Sequence, residues 1–96
     1  MWGRWVESAV GAHLLNQAEG SGVKVEYWKD GNYEVDFILI RDKQIVAIEV
    51  KSGRKQESLS GLSEFKKKFN VHRMHVVGLQ GISLEEFFKS KIEDLF

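Results

Sequence analysis

The chain has 96 residues, 43% of them hydrophobic. This length is enough for one compact domain and too short for two. It contains no cysteine, which excludes disulfides, thiolate metal sites and cysteine nucleophiles and is compatible with a reducing compartment. The N-terminus lacks a signal-peptide pattern, and no segment approaches the roughly 20 apolar residues of a membrane-spanning helix. We therefore expect a single cytoplasmic domain over residues 1–96, with no membrane partner.

The charges are balanced overall but unevenly distributed along the chain. Fourteen basic and fourteen acidic residues give a net charge of zero, which is unlike a generally basic nucleic-acid-binding protein. Residues 51–75, however, hold seven Lys or Arg and two Glu, a net charge of +5. This segment predicts a local basic patch for a phosphate backbone. The candidate contact residues are Arg54, Lys55, Lys66, Lys67 and Arg73.

Hydrophobic periodicity divides the chain into helices and strands. Val6, Val10 and Leu14 recur at helical spacing in the first segment, whereas the next three segments alternate or run apolar as strands do. Ser83 with Glu86 three residues later is the capping-box signature that starts a last helix. The order α-β-β-β-α-β-α predicts an α/β domain with a central mixed sheet flanked by helices. The predicted elements lie at about 2–19, 23–29, 33–41, 44–52, 59–69, 73–78 and 84–95.

The last predicted helix carries more apolar side chains than a core of this size is expected to absorb. Its apolar residues, with the C-terminal phenylalanine, are Leu84, Phe87, Phe88, Ile92, Leu95 and Phe96. An exposed apolar surface of this kind marks an interaction site, and a two-fold dimer would bury it. The sequence therefore predicts a homodimer.

The two central strands are predicted to form a hairpin whose register follows from its loop. If Asp42 and Lys43 are the two loop residues, directly opposed residues have numbers that sum to 85. Asp36 then lies opposite Glu49, with Cβ atoms roughly 4.5–5.5 Å apart. Lys51 follows two residues beyond Glu49, so the two acids and the lysine share one face with apolar residues below them.

Two carboxylates directly opposite each other destabilise a sheet unless a cation lies between them. Their oxygens suit Mg²⁺, which binds through one or two carboxylates and keeps water or phosphate oxygens as its other ligands. The Lys51 ammonium could orient a water toward a phosphorus atom, and Glu7 could reach the same end of the sheet from the first helix. A solvated hairpin face is the plainer alternative for Asp36 and Glu49. Both acids interrupt otherwise apolar runs, which favours the metal site.

These residues also carry a family resemblance. Glu7 on the first helix, Glu34-Val35-Asp36-Phe37 and Glu49-Val50-Lys51 resemble the motif of the PD-(D/E)XK nuclease superfamily, whose restriction-endonuclease-like core has the order α-β-β-β-α-β. The chain is similar to the nuclease-like C-terminal domain of prokaryotic AAA-type ATPases and to archaeal Holliday-junction resolvases. Val35 stands where the motif has a proline.

The resemblance implies a divalent-metal-dependent nuclease that hydrolyses DNA phosphodiester bonds, and the predicted dimer would place two such sites to cut two strands. It implies that Asp36, Glu49 and the carbonyl of Val50 bind Mg²⁺ or Mn²⁺ with the assistance of Glu7, and that Lys51 is catalytic. Two other functions stay open: a non-catalytic nucleic-acid-binding or assembly module derived from an ATPase, and an interaction domain that pairs through apolar helices. The choices between DNA and RNA, and between endonuclease and exonuclease, stay open as well.

Overall fold

The computed structural model describes residues 2–51, 60–78 and 81–96. Its elements follow the predicted order α-β-β-β-α-β, which confirms the α/β class. None of the described helices is long and apolar enough to cross a membrane. The elements are α1 (Trp2–Ala18), β1 (Lys24–Asp30), β2 (Tyr33–Arg41), β3 (Gln44–Lys51), α2 (Ser60–Lys68), β4 (Arg73–Gly78), α3 (Leu84–Lys89) and a C-terminal 3-10 turn (Ile92–Leu95).

The strands form one mixed sheet in the order β1-β2-β3-β4. β2 pairs antiparallel with both β1 and β3, and β4 runs parallel to β3. The ladder between β2 and β3 extends from Arg41↔Gln44 to Phe37↔Ile48, and every opposed pair in it has residue numbers that sum to 85. The predicted hairpin register is therefore confirmed.

Helices cover both faces of the sheet and bury a separate apolar cluster on each. On one face, α1 and the C-terminal elements pack against the sheet, with Val10, Leu39 and Phe87 fully buried. On the other face, α2 contributes Leu62 and Phe65 to a smaller cluster. The sheet is thus the middle layer of the molecule, which explains why its central strands are nearly continuous apolar runs.

A bulge in β2 interrupts the predicted alternation at Asp36. On β1, Glu26 pairs with Ile38 and Trp28 pairs with Val35, so three residue steps of β2 oppose two steps of β1. Val35 and Ile38 consequently lie in the same cluster on the α2 face although they are three residues apart. The strict alternation that the predicted shared face assumes is therefore interrupted on β2 between Val35 and Ile38, the stretch that holds Asp36.

The predicted last helix is divided in two. Ser90 has an extended conformation (φ −84°, ψ 157°), and its hydroxyl donates a hydrogen bond to the Phe87 carbonyl at 2.7 Å. The chain then turns back toward α1, where the Ile92 N–H donates to the Gln17 side chain at 3.3 Å. Contacts with α1 thus end the helix at Lys89, where the apolar pattern alone predicted that it continues.

The C-terminal apolar residues are mostly used inside the molecule. Phe87, Ile92 and Leu95 are buried in the α1-side cluster, and Leu84 and Phe96 pack against it. Phe88 is the large apolar residue of this segment that stays 39% exposed. The apolar surplus from which a dimer was predicted is therefore absorbed by the core of the chain itself.

Candidate metal centre

The candidate site lies where β2 and β3 stop pairing through their backbones. Beyond the Phe37↔Ile48 pair, the Val50 N–H donates a hydrogen bond to Oδ2 of Asp36 at 2.8 Å. The Asp36 N–H donates in turn to Oε1 of Glu49 at 3.3 Å. Each carboxylate accepts from the backbone of the opposite strand, so the two acids lie side by side as the register predicts.

Burial makes the ionised form of Asp36 unfavourable. Desolvation is the largest effect on this carboxyl group, and the nearby negative charges of Glu7 and Glu34 act in the same direction. The hydrogen bond from Val50 opposes them. The pKa of Asp36 is raised as a result from 3.8 to about 6.

The pKa of Glu49 is raised further, from 4.5 to about 8. Desolvation is again the largest cause, and the negative charge of Asp36 is the next one that raises it. The positive charge of Lys51 acts in the opposite direction without cancelling them. Both carboxyl groups therefore favour their protonated forms more than a free carboxyl group does, since two adjacent, partly buried carboxylates repel each other when both are ionised.

Lys51 ends β3 beside the two acids, close enough for its charge to lower the pKa of Glu49. It pairs with Gly78, which has a φ of 109° and lies against the β3 backbone. A Cβ at Gly78 would lie 2.1 Å from the Lys51 carbonyl oxygen, so a larger residue would displace the end of β3. Gly78 therefore supports the position of Lys51, although no sequence signal distinguished it from other glycines.

Glu7 lies on α1, near enough for its charge to raise the pKa of Asp36. In the part of the chain that the structure describes, however, no group of three or more His, Asp or Glu is arranged to hold a metal ion. The predicted convergence of Glu7 with Asp36 and Glu49 as a three-carboxylate ligand set is therefore not seen there. A pair of carboxylates is nevertheless sufficient protein ligation for Mg²⁺, which keeps several waters.

Gly61 brings the start of α2 against the strand that carries Asp36. A Cβ at Gly61 would lie 1.9 Å from the Glu34 carbonyl oxygen, so only glycine permits this approach. The sequence alone does not identify this residue, because a lone glycine inside a helical pattern does not reveal which backbone it contacts.

Of the predicted nucleic-acid-binding residues, the three that the structure describes do not gather around the acids. Lys66 and Lys67 are exposed at the C-terminal end of α2, while the helix meets the β2 segment at its other end. The Nζ atom of Lys67 also lies 3.9 Å from Oε1 of Glu64. Arg54 and Lys55 lie outside the described residues.

Arg73 makes a hydrogen bond within the chain. Its Nε donates a hydrogen bond to the Phe96 carbonyl at 2.7 Å. It opposes Val46 at the start of β4, whereas Glu49 opposes Val76. Three residues of strand therefore separate Arg73 from the level of the acids, a distance of roughly 10 Å.

Comparison with known proteins gives a family but no activity. A family model described as "Domain of unknown function (DUF4143)" matches residues 2–89. No curated protein and no solved structure matches the chain. The matched range includes Glu7, Asp36, Glu49 and Lys51.

Proposed function

We propose that this chain, which belongs to the DUF4143 family, is a PD-(D/E)XK-type nuclease domain that hydrolyses DNA phosphodiester bonds with Mg²⁺ or Mn²⁺. One observation carries the proposal: Asp36 and Glu49 lie side by side on neighbouring strands, partly buried and with raised pKa values. A divalent cation would remove the repulsion that this arrangement creates. Lys51 adds a positive charge beside the pair.

The donor groups fit a hard cation. Asp36, Glu49 and the Val50 carbonyl would hold it through oxygen atoms, and the bound ion would polarise the scissile phosphate and lower the pKa of a water molecule. Lys51 would orient that water and would donate hydrogen bonds to the phosphate oxygens as negative charge develops on them. Glu7 supports cation binding from α1, because its negative charge reaches Asp36.

A non-catalytic nucleic-acid-binding or assembly module is the second candidate. It is favoured by the absence, among residues 2–51, 60–78 and 81–96, of a third His, Asp or Glu side chain grouped with the two acids. Such a module would keep the Asp36–Glu49 pair and bind a metal ion or nucleic acid without cleaving.

Cleavage assays distinguish the two candidates. The protein would be incubated with supercoiled, linear, single-stranded and branched DNA, and with RNA, in Mg²⁺ or Mn²⁺. We expect the wild-type chain to cleave DNA. Loss of a residue that only supports a metal ligand typically reduces activity roughly 10–100-fold, and Asp36→Ala should reduce cleavage by more than that. Glu85→Ala is the matched control, because it removes an exposed acid on α3. Binding without cleavage of any substrate in either metal would contradict the nuclease and support the binding module.

A further inference from the structure

The outer edge of β1 has no role in the proposed site. β1 pairs with β2 on one side, and among the described residues no strand lies on its other side. The strand has seven residues, and Tyr27 at its centre is 71% exposed. Such an edge presents unpaired N–H and C=O groups that can pair with another strand.

The hairpin between β1 and β2 determines which backbone groups of β1 point outward. Asp30 opposes Tyr33 across the two-residue loop Gly31-Asn32, so the backbone groups of Asp30 face β2. Every second residue counted back from Asp30 faces β2 as well. The outward backbone groups therefore belong to Val25, Tyr27 and Lys29.

We propose that β1 pairs antiparallel with β1 of a second copy of this chain, around a two-fold axis at Tyr27. Tyr27 then opposes the Tyr27 of the other copy, and Val25 opposes Lys29, so outward-facing residues meet outward-facing residues as the hydrogen bonds require. Lys24 opposes Asp30 at both ends of the strand. The two sheets become one continuous sheet across the dimer.

Charge selects this register from those that the backbone permits. A shift of one residue pair in one direction places Glu26 opposite Glu26 of the other copy. The equivalent shift in the other direction places Glu26 opposite Asp30 twice. Like charges directly opposite each other destabilise a sheet, and opposite charges stabilise it. The register centred on Tyr27 covers the whole strand, opposes no like charges and forms the Lys24–Asp30 pair twice.

A positive charge from α2 also complements this register. Lys68 is ion-paired with Asp30 of its own chain, and its Nζ lies 5.8 Å from the centre of the Trp28 ring. Glu26 of the other copy would oppose Trp28 and thus meet this ammonium group. The partner that fits the edge by charge is therefore a second copy of this chain.

Disulfide trapping tests the register directly, because the chain contains no cysteine. A hydrogen-bonded antiparallel pair has Cα atoms roughly 5.5 Å apart, which suits a disulfide, so Tyr27→Cys should form a covalent dimer under mild oxidation. Lys29→Cys is the control. Position 29 opposes Val25, so the two introduced thiols would be four strand positions apart, roughly 13 Å, and should cross-link far less. Equal cross-linking of both variants, or none of Tyr27→Cys, would overturn the proposal.

Charge reversal provides an independent test by sedimentation, without metal or nucleic acid, so its outcome is separate from that of the nuclease proposal. Lys24→Asp and Asp30→Lys each place like charges opposite each other and should raise the dimer Kd by about tenfold or more, roughly 1.4 kcal/mol or more. Mixing the two variants restores opposite charges at both ends and should restore dimers. Asp30→Lys also removes the Lys68–Asp30 ion pair within its own chain, and mixing the two variants does not restore that ion pair. A wild-type chain that stays at 11.0 kDa up to about 100 μM, or a mixture that associates no better than its components, would contradict this interface.

Discussion

The Asp36 side chain accepts a hydrogen bond from the backbone of β3 that a main-chain carbonyl of β2 would accept in a regular strand pair. Its Oδ2 atom accepts from the Val50 N–H at 2.8 Å. The backbone ladder between β2 and β3 ends at the adjacent Phe37↔Ile48 pair. The carboxylate therefore both joins the strands and carries charge. An asparagine can still accept this hydrogen bond but cannot ionise, so Asp36→Asn separates the two roles.

Without metal, the stability of the wild-type chain should fall as the pH rises. The pKa values of Asp36 and Glu49 are raised, so the folded state binds more protons than the unfolded state between about pH 4 and pH 8. Over this range the free energy of unfolding decreases with pH. Asp36→Asn removes one titrating group and a negative charge beside Glu49, so its melting temperature should fall less between pH 5 and pH 8. Thermal melts in a chelator measure this difference.

Divalent ions should reverse this loss where both Asp36 and Glu49 are present. Mg²⁺ or Mn²⁺ binds the folded state and should raise the melting temperature by mass action, beyond the effect of matched monovalent salt. Asp36→Asn should lose most of this rise, while Glu85→Gln, a change at an exposed acid of α3, should keep it. An equal response of wild type and Asp36→Asn would show that the two acids do not form a shared metal site.

At the scale of elements, local interactions could be predicted from the sequence and tertiary ones could not. The β2–β3 register depends on a short loop, so arithmetic along the chain is sufficient. The bulge at Asp36 lies between neighbouring strands, but no glycine marks it in the sequence. The break at Ser90 is accompanied by contacts with α1, which is distant in the sequence. The Ser90 carbonyl accepts a hydrogen bond from His13 at 3.3 Å in one ring tautomer, a contact across 77 residues that no local pattern indicates. The acid pair was therefore predictable, and the shape of the backbone around it was not.

The contact between α2 and β2 should be sensitive to one methyl group. In Gly61→Ala the new Cβ would lie 1.9 Å from the Glu34 carbonyl oxygen, so α2 must move away from the strand. We expect a loss of about 1–3 kcal/mol in the free energy of unfolding, which is typical of overpacking. Ser63→Ala, at an exposed position of the same helix, should change it by less than about 0.5 kcal/mol. Equal denaturant midpoints for the two variants would contradict the close approach.

At the scale of the whole molecule, the basic residues differ in whether they are bonded within the chain or exposed to solvent. Arg73 bonds to the C-terminal residue Phe96, and Lys68 bonds to Asp30. Lys66 and Lys67 are exposed on α2. If the chain binds nucleic acid electrostatically, these two lysines are the described α2 residues best placed to contact phosphates.

The double variant Lys66→Glu/Lys67→Glu should accordingly weaken binding to all nucleic-acid sequences alike. Counterion release predicts that removing two phosphate contacts reduces the slope of log K against log salt by roughly 1.8 on duplex DNA. Lys89→Glu, a change at an exposed lysine of α3, should leave that slope unchanged. Fluorescence anisotropy at several salt concentrations measures the slope. An unchanged slope in the double variant would place the phosphate contacts elsewhere.

The contact between α1 and the C-terminal segment has a consequence for folding kinetics. The β1–β2–β3 meander joins neighbours through two short loops, so its strands can pair early and at little entropic cost. Gln17 bonds to Ile92 across 75 residues, a contact that closes a loop of most of the chain. Val10 and Phe87 become buried together only when that loop closes. The transition state is therefore expected to contain the meander, with the docking of α1 onto the C-terminal segment as the late step that limits how fast the native core is completed.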